Sequence, residues 1–240
     1  MLERHRPVVR YDSSERLRAT SVRDDGGDVA YGRSARGSDG RRWLQYWLYY
    51  TDNPQDRGIV RTGRHEGDWE LVQVGLDGAG RPDRVTAAQH SWAESCAWRD
   101  VRHRGPAPVV YPANASHATY LRPGDVDRPI GDPTDEADGR GRAVRPEMRV
   151  IAASSPAWMR RTDPWGSTRA GWVPGEQSSP LGPALQGVKW GDPSAFDRAA
   201  RGCGTGPPPH PERAAVAAGA FGVLVAALFL AYRRTRIARR

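Results

Sequence analysis

Trp43-Leu44-Gln45-Tyr46-Trp47-Leu48-Tyr49-Tyr50 is the most aromatic run of the chain. Its apolar residues do not recur at helical spacing, and its length and composition favour a strand buried on both faces. Asp52-Asn53-Pro54 is expected to end it. Working outward, residues 69–76 read as a second strand closed by the turn Asp77-Gly78, and residues 84–90 as a third. Residues 108–113 and 149–153 are further short apolar runs, separated by Gly- and Pro-rich loops such as 122–146. Asp138-Gly139-Arg140-Gly141 reads as a tight turn, and no amphipathic helix of length stands out. Short strands, turn-rich connections and nine tryptophans predict a mostly β fold, an antiparallel β-sandwich with long loops.

At 240 residues the chain suits one domain with an appendage. The expected division is a β-sandwich domain at 1–203, a Gly/Pro-rich linker at 204–213, a transmembrane helix at 214–232 and a basic tail at 233–240. Every residue from 214 to 232 is apolar, Gly or Tyr, and at 1.5 Å per residue such a helix nearly crosses a hydrocarbon core of about 30 Å. The three prolines at 207–209 favour an extended spacer between domain and bilayer. The arginines that follow the apolar run favour the cytoplasmic side, which places the domain outside the cell at a single-pass anchor in the cell membrane. The opening Met1-Leu2-Glu3-Arg4-His5-Arg6-Pro7 lacks the apolar core of a signal peptide, so the two sidedness signals conflict.

The formal net charge is +8, but five arginines in the last eight residues supply more than half of it. The remaining basic residues alternate with acids, and no zinc-finger, helix-turn-helix or RNA-recognition signature is present, which argues against nucleic-acid binding. The basic side chains are 35 arginines and a single lysine, Lys189. Cys96 and Cys203 lack the paired spacing of a zinc or thiol-redox site; one disulfide and two separate buried thiols both remain open.

The stretch most suggestive of chemistry is His65-Glu66-Gly67-Asp68-Trp69-Glu70. Strand side chains alternate, so Asp68 and Glu70 point one way, about 7 Å apart, and Trp69 points into the opposite layer. Two carboxylates so placed repel unless a positive group lies between them, and a divalent cation meets that need. His65 adds a nitrogen donor, and Asp52 comes back beside it if the flanking strands form a long hairpin. The expected metal ligands are Asp52, His65, Asp68 and Glu70, an oxygen-rich set that suits Mg²⁺ or Ca²⁺ ahead of Mn²⁺ or Zn²⁺. The bland alternative is a solvated strand whose acids pair with Arg61 and Arg64. His-Glu-x-x-His is absent, so a zinc-protease site is not indicated.

The same six residues resemble the signature of the vacuolar protein sorting-associated protein sixty-two family. Similar pieces flank them in order: Arg6-Pro7-Val8-Val9-Arg10-Tyr11-Asp12, Gln89-His90, Val110-Tyr111-Pro112-Ala113-Asn114-Ala115-Ser116-His117-Ala118-Thr119-Tyr120 and Ala137-Asp138-Gly139. Trp165-Gly166, Ser179-Pro180-Leu181-Gly182-Pro183 and Lys189-Trp190-Gly191-Asp192-Pro193 complete the series. The resemblance covers residues 6–203 and implies a pocket to which His90 and His117 also contribute. It implies no biochemical activity. A shorter likeness is to the necrosis- and ethylene-inducing toxins, β-sandwiches whose His-x-x-Asp-Trp-Glu core binds a divalent cation at a membrane-active surface. His65, Asp68 and Glu70 fall on that pattern, and Asp52 takes the place of its upstream aspartate.

The expected function is a membrane-anchored, divalent-cation-dependent binding module whose partner is a glycan or a lipid head group. A metal-dependent hydrolase using His90 or His117 as proton shuttle is the alternative, though no nucleophile-elbow motif or second metal cluster supports it. A purely structural surface domain is the third reading.

Overall fold

The computed structural model describes residues 1–23, 26–55, 63–89, 92–127, 134–151, 156–169 and 177–205. Among them, in chain order, are α1 (Leu2–His5) and the strands β1 (Val8–Arg10), β2 (Val29–Arg36), β3 (Arg42–Asn53), β4 (His65–Leu76), β5 (Pro82–Gln89), β6 (Trp92–Ala97) and β7 (His103–Arg104). They continue with β8 (Ala107–Pro112), β9 (Thr119–Tyr120), β10 (Gly124–Val126), β11 (Asp135–Ala137), β12 (Ala143–Val144) and β13 (Glu147–Val150). Two short helices, α2 (Val188–Gly191) and α3 (Pro193–Ala199), precede β14 (Arg201–Gly202).

The strands form two main sheets and a small hairpin. The larger sheet runs β13-β2-β3-β4-β5-β6-β14, the smaller runs β12-β1-β8-β7 with β9 also on β8, and β10 pairs with β11. The expectation of a purely antiparallel sandwich is corrected here. The centre of the large sheet is antiparallel, as hairpins joined by short turns must be, but both its edges are parallel: β13 runs with β2 and β14 with β6. In the small sheet β1 runs parallel to β8. These pairings join segments about a hundred residues apart, which local turn signals do not encode.

β3 is buried on both faces, as its sequence suggests. Leu44, Tyr46, Leu48 and Tyr50 face the small sheet and pack with Val72, Val74, Val85, Val9 and Val110 in the inter-sheet core. Trp47 and its neighbours Trp69 and Leu71 on β4 face outward, where Trp158, Trp165, Trp190 and Phe196 cover them. The strand ends at Asn53, within the Asp52-Asn53-Pro54 signal, after both Asp52 and Asn53 have paired with β4. The segment 122–146, expected as loop, contains β10, β11 and β12.

α2 and α3 lie on the outer face of the large sheet. Asp192 caps α3, accepting from the amides of Ser194 and Ala195, and Pro193 sits at its first turn. Below them is a buried polar layer: Gln45 accepts from Arg33 Nε and donates to Gln73 and to the Lys189 carbonyl, and Gln73 donates to the Pro193 carbonyl. Arg33 also donates to the Trp190 carbonyl and stacks on its ring, 3.5 Å from the centroid. Burial lowers the Arg33 pKa to about 10.

Cys96 and Cys203 are bonded, tying β6 to β14 across a sequence separation of 107 residues. Asp138 accepts from the Arg140 and Ser13 amides, and Gly139 has φ of 61°, so that turn is as expected. The linker beyond residue 205, the apolar stretch 214–232 and the basic tail lie outside the described residues, as does His90. Among the described residues no helix is long and apolar enough to cross a membrane.

Candidate functional site

β3 and β4 pair over almost their whole length, with Tyr50 opposite Asp68, Asp52 opposite Glu66 and Asn53 opposite His65. β5 accompanies β4 only as far as Val72↔Ala87. The part of β4 that carries the charged residues therefore extends past its neighbour. Segments distant in sequence close around it: the Glu66 carboxylate accepts from the Ser167 amide at 2.7 Å and its hydroxyl at 2.6 Å, and the Trp165 amide donates to the Pro180 carbonyl.

Gly67 decides which side chains meet. Its φ is 67°, a left-handed value, and a Cβ there would collide with the Trp165 carbonyl. This residue breaks the strict alternation of β4, so His65 and Asp68 reach the same space although they are three positions apart, which strict alternation would put on opposite faces. Beyond it the alternation resumes. Trp69 packs outward among Tyr31, Tyr49, Trp158 and Trp165, and Asp68 and Glu70 point the other way.

Asp68 and Glu70 are 6% and 5% exposed, so the solvated-strand alternative does not describe them. They border a cavity of about 150 Å³ with Asn53, His65, Ser116, Gln186 and Lys189. His65 Nδ1 lies 2.7 Å from the Gly67 carbonyl, which only accepts, so Nδ1 carries a proton and the neutral imidazole presents the Nε2 lone pair. The Asn53 amide nitrogen lies 3.4 Å from that Nε2, 3.5 Å from Asp68 Oδ2 and 3.3 Å from the Ser116 carbonyl. Two protons thus face three acceptors, all at long range. Glu70 Oε2 is buried with no hydrogen-bond partner among the described residues. Burial, then the adjacent Asp68 charge, pushes the Glu70 carboxyl well above the usual range; the Lys189 charge opposes the shift.

Asp52 does not line this cavity. It is half-buried opposite Glu66, on the other side of the hairpin from Asn53. The hairpin forms as expected, but its register delivers Asn53 in place of Asp52. His117 is fully buried and reaches the site only through Asp68: its Nδ1 is 3.1 Å from Asp68 Oδ2, its Nε2 is 3.7 Å from Glu15, and its ring stacks on Tyr50 at 3.8 Å. Its φ of 55° places it in the left-handed region, a strained conformation held by this packing. Sequence reasoning missed Asn53, Glu15 and Lys189 as neighbours of the site.

The donor set fits a small divalent cation: two carboxylates, an imidazole with its lone pair free of a proton, and a carbonyl that orients the ring from behind. Among the described residues, the only three such side chains whose donor atoms lie within 4.8 Å of one another are Glu94, Cys96 and Cys203, two of them consumed by the disulfide. The donor atoms of His65, Asp68 and Glu70 do not all gather within that distance. A larger surface cleft of about 650 Å³ lies between the turns around Asp39 and Asp77, and no buried unpartnered group borders it.

No family model and no curated protein matches the chain, so the resemblance to the vacuolar protein sorting-associated family has no such match behind it. Among solved structures, a mutant of NLPPya has a TM-score of 0.49 at 13% identity, covering 82% of this chain and 87% of its own. The non-toxic HaNLP3 protein gives 0.47 at 14%, with 82% and 88% covered. NLPPya in complex with glucosamine gives 0.44 at 14%, with 67% and 77% covered. These are necrosis- and ethylene-inducing-type proteins. At such scores the likeness carries no argument about the chemistry of this chain, and the site has to be read from its own residues.

Proposed function

We propose that the chain is a binding module whose cavity at His65, Asp68 and Glu70 takes a divalent cation, Mg²⁺ or Ca²⁺, and through it the oxygen atoms of a glycan or lipid head group. The observation that carries this reading is the surplus of acceptors. Glu70 Oε2 is buried without a hydrogen-bond partner among the described residues, and the Asn53 amide is spread at long range over His65 Nε2, the Ser116 carbonyl and Asp68 Oδ2, the last of which also has His117 Nδ1 at 3.1 Å. Buried acceptors without donors cost a few kcal/mol each, and a cation supplies what they lack. Bound there, the ion would offer open coordination positions to ligand oxygens. The residues would hold it and orient it.

A binding role suits the site better than hydrolysis because His117, the expected proton shuttle within the described residues, is fully buried between Asp68 and Glu15. The membrane tether in this proposal rests on the sequence of residues 214–232, and the Cys96–Cys203 disulfide supports an oxidising compartment, hence the outer side. Calorimetric titration of the full chain with Mg²⁺ and Ca²⁺ tests the reading. Saturable binding by the wild type that is lost in Glu70→Gln is expected; no binding by the wild type would refute it.

A further inference from the structure

The cavity of the proposed cation site has a second feature. Of the 36 basic side chains in the sequence one is a lysine, and that residue, Lys189, lines the cavity with Asp68 and Glu70. Its backbone does not drift: Gln45 donates to its carbonyl at 2.7 Å, and Arg33, buried in the large sheet, holds the carbonyl of Trp190 and stacks on the indole. A four-carbon chain with a point charge at its tip is thus mounted at a fixed base beside a buried carboxylate oxygen that has no hydrogen-bond partner among the described residues.

We propose that Lys189 is a built-in competitor for the cation site: its ammonium, at the wall of the acidic cavity, balances the cavity's charge when no metal is bound, and a divalent cation must displace it. The inference rests on the cation reading above and deepens it by naming what sets the affinity. An ammonium carries three donors and one charge, which suits the carboxylate oxygens of Glu70 and Asp68 without completing a metal's coordination. A guanidinium is planar, forked and larger, and a cavity of about 150 Å³ favours the compact charge. An ammonium and a divalent ion cannot share the space, since like charges a few ångströms apart repel strongly where water is scarce. Because the backbone at 189–190 is anchored, the exchange is confined to the lysine side chain, which swings out as the ion enters.

Being the one lysine makes this residue separately readable. In the 240-residue chain the amines open to an acylating reagent are Lys189 and the chain's α-amino group, and mass spectrometry distinguishes them. Saturating Ca²⁺ or Mg²⁺ is expected to speed acylation of Lys189 several-fold while leaving Met1 unchanged. In parallel, calorimetry should find that Lys189→Met binds the ion about tenfold or more tightly than wild type, and that Lys189→Arg, which keeps the charge, gains nothing. If calorimetry shows wild-type binding but the ion slows or does not alter Lys189 acylation, the competition is overturned and the cation site stands. Binding by Lys189→Met with none by the wild type would refute the cation reading for the native protein, and this inference with it. Absence of binding in all three proteins would overturn the cation reading itself, and this inference with it. The labelling arm needs no variant, so misfolding of Lys189→Met would not blunt the test.

Discussion

At the scale of single residues, the site is governed by charge and by one glycine. Glu70→Gln removes a buried carboxylate that burial and Asp68 already hold well above its usual pKa, so the metal-free protein should gain about 1 kcal/mol while cation affinity collapses. Asp68→Asn should also weaken cation binding but lower metal-free stability by about 1–2 kcal/mol, since Asp68 anchors the buried His117. Calorimetric titration and thermal melts on the pair separate the two roles. Gly67→Ala is expected to lose at least about 1–2 kcal/mol from the left-handed backbone alone, before the clash with the Trp165 carbonyl is added. Chemical denaturation measures it. Asp68, Glu70 and His65 were legible in the sequence because alternation along a strand is a local property. Asn53 was not, because whether Asp52 or Asn53 meets His65 depends on a register that a long intervening loop leaves undetermined.

At the scale of elements, the two faces of β4 have separable duties. Trp69 is 3% exposed in a cluster with Tyr31, Tyr49, Trp158 and Trp165, so Trp69→Ala should destabilise the domain by about 3–5 kcal/mol. Its ring lies on the face opposite Asp68 and Glu70. Trp69 also borders the cavity, so the fraction that remains folded should keep its three donor side chains and still bind the cation, within about a few-fold of wild type, which urea titration and calorimetry together would show. β3 and β4 could be read as strands because their composition and turn signals agree. The short edge strands β12, β13 and β14 could not, since two to four residues carry no periodicity and are held by pairing partners far away in the chain.

At the scale of the whole molecule, the disulfide and the two histidines beside Trp98 set the conditions under which the fold persists. Replacing both cysteines by alanine should cost about 4–5 kcal/mol on the chain-entropy account for a loop of this size, read as a lowered denaturation midpoint. His5 and His103 flank Trp98, and burial lowers the pKa of each below 6.5; for His5 the hydrogen bond to the Pro106 carbonyl opposes the shift in part. A base whose folded pKa is depressed contributes stability above its unfolded pKa and loses it as pH falls through the folded value. Melting temperature should accordingly drop between about pH 7 and pH 5, and His103→Phe, which keeps a ring beside Trp98, should flatten that drop relative to wild type. An identical slope in the variant would remove His103 from the account.

The sequence by itself determined what depends on neighbours along the chain: the β class, the doubly buried β3, the turn after Leu76, the opposed faces of Trp69 and Asp68. Its composition also marked Lys189 as singular. Only the tertiary structure decided that Cys96 meets Cys203, that the sheet edges are parallel, that Asn53 and not Asp52 borders the acidic cavity, and that Lys189 lines it too. Each of those is a contact between segments tens to more than a hundred residues apart, whose geometry is set by how two sheets and their covering segments pack, not by any pattern within one of them.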